Sequence, residues 1–224
     1  MKPIILSEKP LIRAWNCDCM DILKATSDNE YDLAIVDPPY GGNDAIDLKD
    51  NTGLKKQATK RIKYKAFKNT QPTVEYFEEL KRVSKNQIVW GVNFYKNYDL
   101  SGGRLCWDKK GTAFGRGELA YLSMTKSVNI CEIVWNGMLQ YDMKNKEERI
   151  HPTQKPVTLY RWLLKNYAKT GQKIIDTHGG SLSSAIACHT EGYDLDIMEI
   201  DKEYFDNGIK RFKRETRQTK LFNI

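Results

Sequence analysis

Residues 37–40 read Asp37-Pro38-Pro39-Tyr40 and follow an apolar, β-branched run that ends at Val36. A central strand cannot continue through two prolines, since neither donates to a sheet ladder, so the chain turns there. Ligands of open α/β sheets bind outside the carboxyl ends of strands, which is where this turn falls. Together the four residues can grip a planar amine attached to an aromatic ring. The lone pair of such a nitrogen is delocalised into the ring, and the nitrogen is a poor nucleophile until its N–H groups are held. The Asp37 carboxylate and the Pro38 carbonyl can accept those two N–H groups and leave the lone pair aimed at an electrophile. The prolines keep that carbonyl out of sheet pairing, and Tyr40 offers a face on which an extruded base can stack. Asp37, Pro38, Pro39 and Tyr40 are therefore the candidate catalytic group. The competing reading is a plain strand-ending turn with a core tyrosine.

Two further segments have the residue types of a nucleoside site. Lys173-Ile174-Ile175-Asp176-Thr177-His178-Gly179-Gly180-Ser181 passes from a strand into a helix, and such a turn lets a ligand approach backbone amides at the helix N-terminus. Glu199 ends the next strand, about twenty residues on, where a carboxylate can accept both hydroxyls of a ribose. In His151-Pro152-Thr153-Gln154-Lys155-Pro156 the last proline suits the first position of a helix. The polar groups before it can hold an amino-acid carboxylate, with Lys155 as the countercharge. His178 and His189 read as structural.

The elements that must position these groups follow from periodicity. Strands are expected over Leu11–Asn16, Tyr31–Val36, Gln87–Val92, Arg104–Asp108, Val128–Trp135, Lys173–Thr177 and Leu195–Ile200. Helices are expected over Met20–Thr26, Thr73–Ser84, Val157–Tyr167, Ser183–Glu191 and Lys202–Arg217; the last places Phe205, Ile209 and Phe212 on one face. Alternation of the two implies a doubly wound α/β sheet. Residues 41–70 are polar, basic and aperiodic, more than a simple connection needs.

Charge and composition narrow the partners. The net charge of +7 suits a polyanion, and its distribution says more. Lys49, Lys55, Lys56, Lys60, Arg61, Lys63, Lys65 and Lys68 cluster against only Asp50, and Lys210-Arg211-Phe212-Lys213-Arg214 forms a second run that reads equally well as a solubilising face. The five scattered cysteines contain no C-x-x-C pair and, with only three histidines, point to neither a disulfide framework nor a metal site. No stretch is apolar enough for a signal h-region or a membrane span, so a cytoplasmic protein is expected.

With these motifs together, the sequence resembles the DNA amino-methyltransferases whose catalytic half precedes the cofactor half, the permuted β group. It is most similar to the short, phage-type N6-adenine enzymes. Their D-P-P-Y matches residues 37–40, and their H-P-T-Q-K-P segment matches residues 151–156. The likeness extends through Leu105-Cys106-Trp107-Asp108-Lys109, Gly117-Glu118-Leu119-Ala120-Tyr121 and Trp135-Asn136-Gly137-Met138. It implies one Rossmann-like α/β domain over 1–224, with a mixed seven-stranded sheet and helices on both faces. The catalytic half would be 1–100, target recognition would lie within 41–70 and 93–150, and the cofactor half would be 151–224.

The implied cofactor is S-adenosylmethionine. His151, Thr153, Gln154 and Lys155 would close over its methionine part, Asp18 would lie beside its adenine, and Glu199 would hold its ribose. Asp176, Gly180 and Ser181 would form the turn beneath it. Leu182 departs from the family pattern: it stands where the loop D-P-F-x-G-S-G has its last glycine, which shifts the amides that face the cofactor. The implied partner is double-stranded DNA, gripped through Lys55, Lys56, Lys60, Arg61, Lys63 and Lys65, with a second copy and a cognate endonuclease as further candidates. No metal and no membrane are expected. The target amine is N6 of adenine; N4 of cytosine is the neighbouring reading, disfavoured because the family's cytosine enzymes more often have serine at the position of Asp37. A DNA-binding relative without catalysis, or an RNA or protein-glutamine methyltransferase, fits the intact motif and the basic loop less well.

Overall fold

A computed structural model describes residues 2–41, 69–110, 116–135 and 139–219. In chain order its elements are β1 (Ile4–Glu8), β2 (Leu11–Trp15), α1 (Cys19–Ala25), β3 (Tyr31–Val36), α2 (Val74–Val83), β4 (Ser84–Trp90), β5 (Gly103–Asp108), β6 (Gly117–Leu122), β7 (Val128–Glu132), α3 (Val157–Tyr167), β8 (Lys173–Asp176), α4 (Ser183–Glu191), β9 (Asp194–Met198) and α5 (Lys202–Thr219).

The strands form one mixed sheet of nine, in the order β1-β2-β9-β8-β3-β4-β6-β5-β7. From β2 to β4 all neighbours are parallel. Antiparallel pairing enters at the β1–β2 hairpin and where β6 is inserted between β4 and β5. The expected count of seven is corrected to nine by two strands. β1 is an edge strand that is largely exposed, with no buried face to impose alternation. β6 begins on Gly117, and only its last three residues are buried, which leaves little apolar pattern to read.

Side chains alternate across the sheet, and the result is two cores. Leu33 and Ile35 of β3 join Ile12, Ile88 and Ile174 beneath α3, α4 and α5, through Leu159, Leu163, Ala185, Phe205 and Phe212. Ala34 and Val36, one residue out of step, join Val89 and Ile175 beneath α1 and α2, through Leu23, Tyr76, Phe77, Leu80 and Val83. Over Leu33–Val36 the strand is buried on both faces and every residue is apolar, which is why this stretch reads as a continuous run. Each large side chain removed from water contributes roughly 1.5–3 kcal/mol. The sheet is thereby clamped on both faces, and the carboxyl ends of β3, β8 and β9 are fixed side by side.

Candidate active site

β3 delivers Asp37 to the edge of the sheet, and the chain turns as the two prolines require. The Tyr40 hydroxyl donates to Asp37 Oδ1 at 2.6 Å. Lys155 Nζ approaches Asp37 Oδ2 at 2.5 Å, Glu118 Oε2 at 2.9 Å and the Tyr40 hydroxyl at 3.1 Å. Glu118 also binds Lys109 through its other oxygen. Charges therefore alternate along Asp37, Lys155, Glu118 and Lys109, and they sum to zero when all four are ionised.

Burial and neighbours set the protonation states here. Burial pushes the Asp37 carboxyl up; the Lys155 charge pulls it back, Glu118 adds to the rise, and the net direction is upward. Burial opposes the charge on Lys155, yet Asp37 and Glu118 outweigh it and hold the ammonium above the usual lysine range. Glu118 is likewise penalised by burial, but Lys155 and Lys109 together keep it well below the usual carboxylate range. Glu118 is thus held ionised by its two lysines, while the carboxyl of Asp37, just beyond β3, has its proton affinity raised by burial.

The Pro38 carbonyl accepts the Tyr95 hydroxyl at 2.7 Å, which fixes its direction and leaves one lone pair for a second donor. Tyr40 lies across Gly91, where an added Cβ would come within 2.2 Å of its ring; only glycine leaves room. On Tyr40 rests Phe94, stacked at 4.8 Å between centroids and 9° between planes. Phe94 is 43 % exposed, so the stacked pair reaches the surface of the site.

One cavity of about 510 Å³ connects this cluster to the turn after β8. At its far end Glu199 accepts the Gly180 N–H at 2.7 Å and the Asp201 N–H at 2.8 Å. Burial raises the Glu199 carboxyl above its ordinary value. His151 and His178 also line the cavity; burial lowers both imidazoles to about 4, so they are neutral at pH 7. His151 sits 3.1 Å from the Thr153 hydroxyl and packs edge-on against Tyr204. Asp176 lies beneath the turn, fully buried, accepting the His178 N–H at 3.0 Å and the Ser184 hydroxyl at 2.5 Å, and burial raises it to about 7.

Of the residues expected from sequence, Asp37, Pro38, Pro39, Tyr40, His151, Thr153, Gln154, Lys155, Gly180, Ser181 and Glu199 meet around this one cavity. Asp176 supports its floor without lining it. Asp18 is not among the lining residues. β2 and β9 do run side by side, and the Asn16 amide donates to the Glu199 carbonyl at 2.8 Å. The exposed Asp18 side chain instead caps α1, accepting the Met20 N–H at 2.9 Å. Lys55, Lys56, Lys60, Arg61, Lys63 and Lys65 lie outside the described residues. The sequence reading missed Glu118, Lys109, Phe94 and Tyr95 as members of the site. Glu118 is the one with a local signal, a single acid in an otherwise apolar strand.

Leu182, the departure from the family loop, adopts the left-handed backbone (φ 57, ψ 29) at the N-cap of α4. Its side chain is fully buried and lies over Gly208 of α5, where an added Cβ would meet Leu182 Cδ1 at 2.4 Å. The loop thus keeps a glycine-like turn, and the leucine side chain is accommodated by a glycine on the next helix.

The fold is shared with solved structures. PvuII DNA methyltransferase (cytosine-N4-specific) superposes with a TM-score of 0.61 at 12% sequence identity, over 96% of this chain and 93% of that one. The M1.HpyAVI–SAM complex superposes at 0.53 with 17% identity, over 89% and 99%, and M1.HpyAVI alone at 0.51 with 16% identity, over 89% and 98%. Residues 107–210 match a family model described as DNA methylase.

Proposed function

We propose that this chain transfers a methyl group from S-adenosylmethionine to an exocyclic amine of a DNA base, N6 of adenine. The observation that carries the reading is the common cavity: Asp37, the Pro38 carbonyl and Tyr40 stand at one end, and Gly180 and Glu199 at the other. The shared fold with a DNA methyltransferase and with a SAM complex, and the DNA methylase match over residues 107–210, support it. Asp37 rather than serine at the head of the motif favours adenine.

The cavity suits that cofactor chemically. Glu199 faces it with a carboxylate whose two oxygens have lone pairs to spare for ribose hydroxyls. The neutral His151 and His178 add no positive charge beside a cationic donor, and Lys155 is balanced by two carboxylates. When bound, S-adenosylmethionine would supply an electrophilic methyl group, its S–C bond breaking to leave S-adenosylhomocysteine as the amine nitrogen forms the new N–C bond and sheds one proton. Asp37 and the Pro38 carbonyl accept the amine N–H groups and turn the lone pair toward the donor. Asp37, with its raised affinity for protons, then receives the proton the nitrogen sheds. Phe94 and Tyr40 provide the stacking surface for the flipped base, since the target nitrogen is unreachable inside a duplex. On this reading the domain divides into a catalytic half (1–100) and a cofactor half (151–224), and the basic run over residues 49–68 supplies phosphate contacts.

The test is to incubate the protein with DNA and methyl-labelled S-adenosylmethionine, then identify the modified nucleoside by mass spectrometry. N6-methyladenine is expected. N4-methylcytosine would reassign the base, and no labelled base on any DNA would overturn the reading.

A further inference from the structure

Lys155 belongs by sequence to the segment read as holding a cofactor carboxylate, yet its side chain runs to the other end of the cavity. An ammonium has three N–H donors. All three are engaged, by Asp37 Oδ2 at 2.5 Å, Glu118 Oε2 at 2.9 Å and the Tyr40 hydroxyl at 3.1 Å. The side chain is 3 % exposed, with Trp90 facing the ammonium at 5.2 Å from the ring centroid. Nothing of its hydrogen-bonding capacity is left for a carboxylate elsewhere in the cavity.

We infer that Lys155 is a positioning residue for the reaction, shared between Asp37 and Glu118, and that this sharing sets how firmly Asp37 can grip the target amine. The inference rests on the methyl-transfer reading above. Asp37 Oδ1 accepts from Tyr40 and Oδ2 from Lys155; each oxygen keeps a second lone pair, so an incoming N–H joins a carboxylate whose charge Lys155 already draws on. Glu118 gives Lys155 a second partner within reach, so that the ammonium leans toward β6 as the amine arrives without being left unpaired. An uncompensated buried charge is what the pair avoids. Lys109, behind Glu118, keeps that carboxylate ionised and ready. Glu118 and Lys109 lie on β6 and just beyond β5, so the antiparallel strands reach the reacting carboxylate through this contact.

The groups facing Asp37 define what a pH profile should read. They are Lys155 with Glu118 across from it, Tyr40, Tyr95 through the Pro38 carbonyl, Tyr160 of α3 and Asp176 of β8. The three tyrosines are all raised above their ordinary value by burial and remain neutral over the working range. Lys155 lowers the proton affinity of Asp37 and Glu118 raises it.

The experiment is the pH dependence of methyl transfer for Lys155→Met, Lys155→Arg and Glu118→Gln in the full chain, with calorimetric titration of S-adenosylhomocysteine beside it. Lys155→Met should move the acid limb of the rate profile upward by about one pH unit or more and lower kcat at least about tenfold. Glu118→Gln should move the limb the opposite way and lower kcat less, because Lys155 then grips Asp37 alone. Lys155→Arg, which keeps the charge, should leave the limb near the wild-type position. All three should bind S-adenosylhomocysteine within about threefold of wild type. If Lys155→Met weakens that binding about tenfold and leaves the limb unmoved, Lys155 serves the cofactor and the inference fails. It also fails if Glu118→Gln, a near-isosteric change that keeps the fold, leaves the limb in place or shifts it upward. A wild-type protein that methylates no DNA removes the underlying reading instead, a result visible before any variant is made.

Discussion

At the reacting end of the cavity, Asp37, Lys155, Glu118 and Lys109 come from separate stretches of chain and hold one another by charge. At the nucleoside end, Gly180, Ser181 and Glu199 come from the continuous stretch β8–α4–β9, and the contacts are backbone amides on one carboxylate. The two ends therefore fail differently. A single substitution at the first removes one charge from a balanced, water-poor cluster, where electrostatic effects are large. A substitution at the second should remove the proposed ligand contacts but leave a turn that the sheet also defines, since Gly179 N–H donates to the Met198 carbonyl at 2.7 Å.

The largest expected effect is at Asp37. Asp37→Ala should lower methyl transfer by more than about a hundredfold, roughly 3 kcal/mol of transition-state stabilisation. Affinity for S-adenosylhomocysteine, measured by calorimetry, should change little, because Asp37 lies at the amine end. Near-normal turnover would remove the reacting end from the comparison altogether.

Glu199 comes next. Glu199→Ala unties Gly180 and Asp201 and, on the proposed reading, deletes the acceptor for the ribose hydroxyls, so it should weaken cofactor binding by at least about tenfold. At saturating cofactor kcat should recover toward wild type. A fall in kcat with unchanged affinity would mean that the two ends are not separable and that the turn after β8 also positions the methyl donor.

The same contrast explains what was legible in the sequence. Tyr31–Val36, Val157–Tyr167 and Ser183–Glu191 read with their observed boundaries, because each is a locally consistent pattern: an apolar run stopped by Pro38, a helix opened by Pro156, a helix closed by Gly192. The residues of both motifs could be named for the same reason. Glu118 could not be assigned a role, because its significance depends on β6 being inserted antiparallel between β4 and β5. That pairing brings it to Lys155; the lone acid in an apolar strand is visible in the chain, but its partner is not. Lys155 reads from its segment as a countercharge for the cofactor carboxylate, whereas its ammonium lies on Asp37, Glu118 and Tyr40; spacing identifies a segment and not the direction of a long side chain. Leu182 reads only as a departure from the family loop because the residue that makes room for it, Gly208 on α5, lies in a different element.

The smallest effect sharpens the comparison most. The family resemblance puts Asp18 beside the cofactor's adenine, whereas the structure turns its side chain to the first turn of α1, where it accepts the Met20 N–H while its carbonyl accepts the Asp21 N–H at 3.1 Å. An N-cap of this kind is worth about 1 kcal/mol, and asparagine caps as well as aspartate. Asp18→Ala should therefore destabilise the fold by about that amount, seen in denaturant unfolding, while Asp18→Asn should cost almost nothing. Neither should change S-adenosylhomocysteine affinity by more than about threefold, well under 1.4 kcal/mol. The two variants separate capping from ligand contact. A cap is retained by asparagine, whereas recognition of an amine by a carboxylate is weakened when an oxygen becomes an NH₂ group. Equal and large losses of affinity in both, with stability intact in Asp18→Asn, would mean that Asp18 leaves α1 for the ligand. The nucleoside end would then draw on a residue from beyond β2 and would no longer be the locally built half of the site.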